Sequence, residues 1–154
     1  MNTHAFKRKQ SGFTLIELLV VIGILSVLFA ITLIAINPSR QFSQANDAKR
    51  SSDVSAILNA ISQYQVENQG ALPAGIGTTA AIIGSGTGET DICTDLVPDF
   101  LAALPADPTV GGGAQIEAAA CAGAYATGYR VVESGGRVTV DAPSAENGTI
   151  SVTR

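Results

Sequence analysis

The run from Phe13 to Ile36 constrains this chain more than any other segment: 24 residues in which Glu17 is the only charge. A helix of that length is enough to cross the hydrocarbon core of a bilayer. Lys7, Arg8 and Lys9 precede it and no acid occurs before Glu17. That asymmetry puts the N-terminus in the cytoplasm and sends everything after Ile36 outward. A secretory signal peptide also has a basic start and an apolar centre, but its apolar part is about 7–15 residues and ends in a small-residue cleavage site. Here the run is longer and leads into Asn37-Pro38-Ser39-Arg40. An uncleaved anchor fits the length and orientation yet leaves Glu17 unexplained, because a carboxylate in lipid costs a few kcal/mol and calls for a partner.

Leader and anchor take up about a quarter of the 154 residues, which leaves one small outer domain. Nine basic residues, less the three of the leader, leave six against 13 acidic ones, a net charge of −7. Such a balance argues against gripping nucleic acid through a basic face. His4 is the sole histidine and lies in the leader, and there is no tryptophan. The rest of the chain therefore lacks an imidazole for a general base, a Ser-His or Cys-His pair or a His-ligated metal, which weighs against an enzyme. Cys93 and Cys121 both follow the apolar run. An even count outside the cytoplasm suggests a disulfide, the alternative being two free buried thiols. The bridge would enclose 27 residues, a loop for which chain entropy gives about 3–4 kcal/mol.

The stretch Lys9-Gln10-Ser11-Gly12-Phe13-Thr14-Leu15-Ile16-Glu17-Leu18-Leu19-Val20-Val21-Ile22 resembles the start of the type IV pilin family, which includes the type II secretion pseudopilins. The resemblance covers the first quarter of the chain. It implies cleavage by a prepilin peptidase between Gly12 and Phe13 and methylation of the new Phe13 amine. A residue without a side chain at Gly12 admits close approach of an enzyme to the backbone. Glu17 is the fifth residue after that cut, about one helical turn from the new amine. The resemblance implies that it pairs with the Phe13 amine of a neighbouring copy during assembly. In low dielectric such a pair is strong and an unpaired member is expensive, so docking in register is rewarded.

Beyond the anchor, apolar residues recur at Phe42, Ala45, Ala48, Val54, Ile57, Leu58, Ile61 and Tyr64 or Val66. Three-to-four spacing predicts an amphipathic helix with one buried stripe, stopped near Gln69 by Gly70 and Pro73. Pro38 removes a helical hydrogen bond and predicts a kink or break. Gly23 weakens the first half. Gly23 to Pro38 is thus a candidate for the melted, spring-like segment of such filaments, beside the simpler reading of a juxtamembrane kink.

Residues 70–128 hold 11 of the 16 glycines, and Gly75-Ile76-Gly77-Thr78 and Gly84-Ser85-Gly86-Thr87-Gly88 read as surface loops, not phosphate cradles. Asp95 to Leu104 predicts a short apolar helical turn interrupted by Pro98. Leu104-Pro105-Ala106-Asp107-Pro108, similar to a segment of many pilins and major pseudopilins, pre-sets a turn. Tyr125 to Glu133 and Arg137 to Asp141 predict a hairpin around Gly135-Gly136, with a shorter strand at Thr149 to Thr153. Glu89, Asp91, Asp95, Asp99 and Asp107 form an acidic group near Cys93. It is either a solvated face or, as in some pseudopilins, a calcium loop, although the EF-hand pattern is missing. No other cofactor is expected. Asn147-Gly148-Thr149 matches the N-glycosylation pattern, and Asn-Gly is also a turn signal.

The expected architecture is α+β and pilin-like. A leader at 1–12 is cleaved, a transmembrane or filament-core helix spans 13–36, and an extracytoplasmic domain at 37–154 carries the amphipathic helix to about 69 on a small antiparallel sheet. The expected role is structural. A type IV pilus-like filament would serve adhesion, motility or DNA uptake; a type II secretion pseudopilus and a non-polymerising anchored binding module are the alternatives. Family partners would be other copies, the prepilin peptidase, an inner-membrane assembly platform and cytoplasmic motor ATPases.

Overall fold

Thr14 starts the first helix. In a computed structural model that describes residues 12–154, α1 runs Leu15–Ile36 and α2 Pro38–Glu67. Then follow β1 (Ala81–Gly84), α3 (Cys93–Leu96), β2 (Ala103–Leu104), β3 (Ile116–Glu117), β4 (Ala126–Ser134), β5 (Arg137–Ala142) and β6 (Ile150–Thr153). The leader cations Lys7, Arg8 and Lys9, and His4, lie outside the described residues. Packing divides the chain into two units that meet between Gln41 and Phe42.

In the first unit, α1 is unbroken through Gly23 and has a mean hydropathy of 3.0 over its candidate span. Its polar hydroxyls are returned to its own backbone: Ser26 Oγ donates to Ile22 O at 2.7 Å and Thr32 Oγ1 to Phe29 O at 2.9 Å. This is how a helix carries hydroxyls into an apolar medium. No residue of α1 is buried. The helix stops at Asn37, which adopts a left-handed conformation (φ 45°) that asparagine tolerates better than most residues. Pro38 then occupies the first position of α2, where its missing N–H is not needed. The expected interruption at Pro38 is therefore a clean stop and restart.

The second unit is built on α2. Val54, Ile57, Leu58 and Ile61 are buried against Ile83, Leu96, Leu104, Tyr129, Val131 and Val140. Each such aliphatic side chain contributes about 1.5–3 kcal/mol on burial. β1, β4, β5 and β6 form an antiparallel sheet in the order β1-β4-β5-β6, with Val131 opposite Val140 and Ser134 opposite Arg137 across the Gly135-Gly136 turn. Thr127, Tyr129 and Val131 are buried, as the alternation in β4 requires. The predicted hairpin and third strand are present, shifted by one residue at their ends. β1 lies in the glycine-rich region read as loops and adds a fourth strand. β2 and β3 pair as a separate two-stranded ribbon. Gly128, at φ 80°, has no room for a side chain: a Cβ would come within 2.8 Å of Val110 and 3.0 Å of Asp107.

One expectation about α2 is corrected. Phe42 is 70% exposed and Val66 83% exposed, and Ala45 and Ala48 are also on the surface. The inward face of the first half carries charge instead, with Arg50 and Asp53 buried and Asp47 partly so. Those residues fall in register with Val54, Ile57 and Ile61, so the stripe is continuous but changes from apolar to ionic. An apolar count alone misses it.

Arg50 is fully buried, and each of its guanidinium nitrogens is hydrogen-bonded. Its Nε donates to Asp107 Oδ2 at 2.7 Å and its Nη2 to Asp107 Oδ1 at 3.1 Å, a bidentate pair. Nη1 donates to Asp47 Oδ1 at 2.9 Å and Glu146 Oε1 at 3.4 Å, and Nη2 to Thr109 Oγ1 at 3.3 Å. Beside it Lys49 Nζ donates to Asp53 Oδ2 at 2.7 Å and to Ala106 O at 2.9 Å, and the Tyr129 hydroxyl donates to Asp53 Oδ2 at 2.7 Å. Among the described residues no buried side-chain nitrogen or oxygen lacks a partner. Removing one member of a buried pair leaves an uncompensated charge, so Arg50→Ala is expected to lose about 3–5 kcal/mol of stability, read by denaturant unfolding of the folded chain.

Burial acts to raise the Asp107 pKa, but the hydrogen bonds from Arg50 and Thr109 outweigh it and hold the carboxyl below its usual range. A carboxyl depressed in the folded state adds stability above its unfolded pKa of about 3.9, and that stability is lost as pH falls through and below that value. Thermal unfolding should therefore turn acid-sensitive below about pH 4, and in Asp107→Asn the slope in that range should flatten.

Candidate functional site

The N-terminal turn is the first candidate. Gly12 is exposed with nothing within 4 Å of where a side chain would stand, Phe13 is 83% exposed, and both precede the first helical residue. The Gly12–Phe13 bond, expected to be cut, thus lies in exposed, non-helical backbone next to a helix start. Thr14 caps that helix: its Oγ1 accepts from Glu17 N at 3.3 Å. Glu17 Oε2 in turn accepts from Thr14 N at 3.1 Å and Thr14 Oγ1 at 2.8 Å. This reciprocal capping box satisfies two helix-end donors and neighbours the positive end of the helix. The Thr-x-x-Glu spacing that makes this box is present in the sequence and gives Glu17 a local role beside the one implied by the cost of a carboxylate in lipid. Within the single chain Glu17 already has a partner through one oxygen, and no described residue donates to Oε1.

The outer acidic residues do not converge. Asp107 belongs to Arg50. Asp91 Oδ1 accepts from the Tyr125 hydroxyl at 2.7 Å and from Cys93 N at 3.3 Å. Asp95 accepts from Ala74 N at 3.2 Å, and Glu89 from Gly86 N at 2.7 Å. Among the described residues no three His, Cys, Asp or Glu side chains are grouped to hold a metal ion. The reading of Glu89, Asp91, Asp95, Asp99 and Asp107 as one group is corrected: Glu89, Asp91, Asp95 and Asp107 take separate partners, and Asp99 is exposed. Burial, with the Asp91 hydrogen bond, pushes the Tyr125 hydroxyl well above its usual range, and burial with Asp53 does the same for Tyr129. Both phenols stay neutral and serve as hydrogen-bond donors.

Cys93 and Cys121 are joined by a disulfide, with their Cα atoms 5.4 Å apart and both residues buried. The β2–β3 ribbon and Asp107 fall inside the loop it closes. A second anchoring point joins the C-terminal loop to α2. Asp47 accepts from Glu146 N at 3.1 Å and from Asn147 N and Nδ2, each at 2.8 Å, while Ser43 Oγ donates to Glu146. Burial works against the Asp47 carboxylate, yet the Glu146, Asn147 and Arg50 donors hold its pKa far below the ordinary value. No local pattern announces this loop anchor, since its partners are about a hundred positions apart.

A family model described as the prokaryotic N-terminal methylation motif matches residues 7–33. The type II secretion system core protein G of Pseudomonas aeruginosa is 32% identical over 102 residues, which cover 66% of this chain and 70% of that protein. This chain belongs to the pilin and pseudopilin family. The type II secretion system core protein G of Aeromonas hydrophila is 39% identical over 62 residues, 40% of this chain and 42% of that protein. No solved structure matches the chain.

Within this pilin-like chain the capping box sets the first turn of α1. Losing an N-cap side chain costs about 1 kcal/mol. In Thr14→Ala, amide exchange at Glu17 in detergent is expected to speed up by about fivefold, with exchange in the β5 strand unchanged.

Proposed function

We propose that the chain is the structural subunit of a type II-secretion-like pseudopilus. The observation that carries this reading is the extent of the likeness: 102 aligned residues at 32% identity reach far past the motif at 7–33 and into the outer unit. In this reading a prepilin peptidase cuts between Gly12 and Phe13 and methylates the new amine, and α1 remains in the membrane as a single pass with its N-terminus in the cytoplasm. An inner-membrane platform and a cytoplasmic motor ATPase then draw copies into a helical fibre outside that membrane. The role is mechanical, not catalytic.

The physical support is in α1. Phe13, Leu15, Ile34 and Phe29 are each at least 70% exposed, and no described residue covers them. Lipid covers such a surface before assembly, and other α1 helices would cover it in a filament core. A Glu17 pair with the amine of the next copy would fix the axial register, because an unpaired charge there is expensive.

A surface pilus is the second reading, favoured by the Cys93–Cys121 bridge, which suits a domain exposed to the oxidising exterior. In that case adhesion, motility or DNA uptake belongs to the assembled fibre. Electron microscopy of sheared cell fractions, immunogold-labelled against the unit after Gln41, separates the readings. Processed protein retained in the envelope, with short or no sheared fibres, supports the pseudopilus; long labelled fibres support the pilus. Glu17→Ala is expected to abolish assembled fibres while leaving membrane insertion intact. Unchanged behaviour in that variant would sink both and leave a non-polymerising anchor.

A further inference from the structure

Asn147 is the only asparagine in the chain that is followed by glycine. Residues 146–149 are exposed, Gly148 adopts φ 145°, and nothing lies within 4 Å of where its side chain would be. A glycine nitrogen in open space is the least hindered nucleophile a backbone offers to the preceding side-chain amide. The same amide is restrained: Asp47 Oδ2 accepts from both Asn147 N and Nδ2 at 2.8 Å. Asp47 is itself fixed by Arg50 Nη1 at 2.9 Å and by Glu146 N at 3.1 Å.

We propose that Asn147–Gly148 is a self-deamidating site and that Asp47 sets its rate by holding the Asn147 amide. In the step, the Gly148 nitrogen loses its proton and bonds to Asn147 Cγ. The Cγ–Nδ2 bond breaks, and ammonia leaves with that proton. Water then opens the five-membered imide at either carbonyl, giving aspartate or isoaspartate; the net change is water in, ammonia out, with no redox partner. Departure of Nδ2 necessarily severs its hydrogen bond to Asp47, so the charge-assisted contact opposes the reaction. The product carries a carboxylate where a donor stood, next to Asp47 and Glu146, and like charges at that spacing repel. Modification at this one site therefore releases the C-terminal loop from α2, independently of whether the chain builds a pilus or a pseudopilus.

The test uses the full chain purified from membranes in detergent and incubated at mildly alkaline pH. Peptide mass spectrometry follows the amide-to-acid shift, and isoaspartyl methyltransferase labelling follows the isomer. The shift should appear at Asn147 and not at Asn59 or Asn68, should vanish in Asn147→Gln, and should speed up about tenfold in Asp47→Ala, the size expected for losing one charge-assisted bond. Ile61→Ala, which loosens the core without touching the loop, is the control for global unfolding. Equal rates in wild type and Asp47→Ala, no shift at Asn147, or equal acceleration in Ile61→Ala would each overturn the proposal.

Discussion

A guanidinium with no access to water organises the C-terminal unit. Arg50 reaches the turn before β3 through Asp107, the C-terminal loop through Glu146, and its own helix through Asp47. The pair is bidentate, and the rest of the guanidinium is satisfied by Asp47, Glu146 and Thr109, so the desolvation of three neighbouring carboxylates is offset by geometry. The apolar core from Val54 to Ile61 supplies the bulk of the stability; the ion cluster decides which segments stand over the first half of α2. Gly128 is part of the same arrangement, because its bare backbone is what lets Asp107 approach β4.

The N-terminal unit poses the opposite problem. α1 returns the hydroxyls of Ser26 and Thr32 to its own backbone and has no buried residue, so its stability is owed to whatever surrounds it. Its carboxylate has a local partner: Thr14 occupies one oxygen of Glu17, and no described residue donates to the other. Such a partner is weak enough to be supplemented or exchanged. Family membership and the exposed apolar helix point the same way, toward assembly with copies of itself.

Much of this was legible in the sequence because it depends on local rules. A long apolar run, its single acid, a glycine before it and basic residues further out point to the anchor and the family without any tertiary knowledge. Pro38 announced the break, and Gly135-Gly136 with alternating flanks announced the β4–β5 hairpin, since turn chemistry and strand periodicity are short-range. β1 escaped notice because four residues between glycine-rich stretches become a strand only when β4 offers its edge.

What the tertiary structure alone decided lies between residues far apart in the chain. Nothing local says that Arg50 turns inward; a charge at that position of a helix reads as solvated surface until Asp107 and Glu146, 57 and 96 residues away, are brought to it. The acidic residues near Cys93 looked like one group because they are close in sequence, and folding gave Glu89, Asp91, Asp95 and Asp107 separate donors. Asp47 and Asn147 likewise became partners only through the fold. The sequence by itself determined the apolar helix, its capped start and the strand pattern, because hydrophobic length and backbone preference act along the chain. Partner choice among buried charges needed the fold, because burial removes water as the alternative partner and leaves only what the tertiary structure delivers.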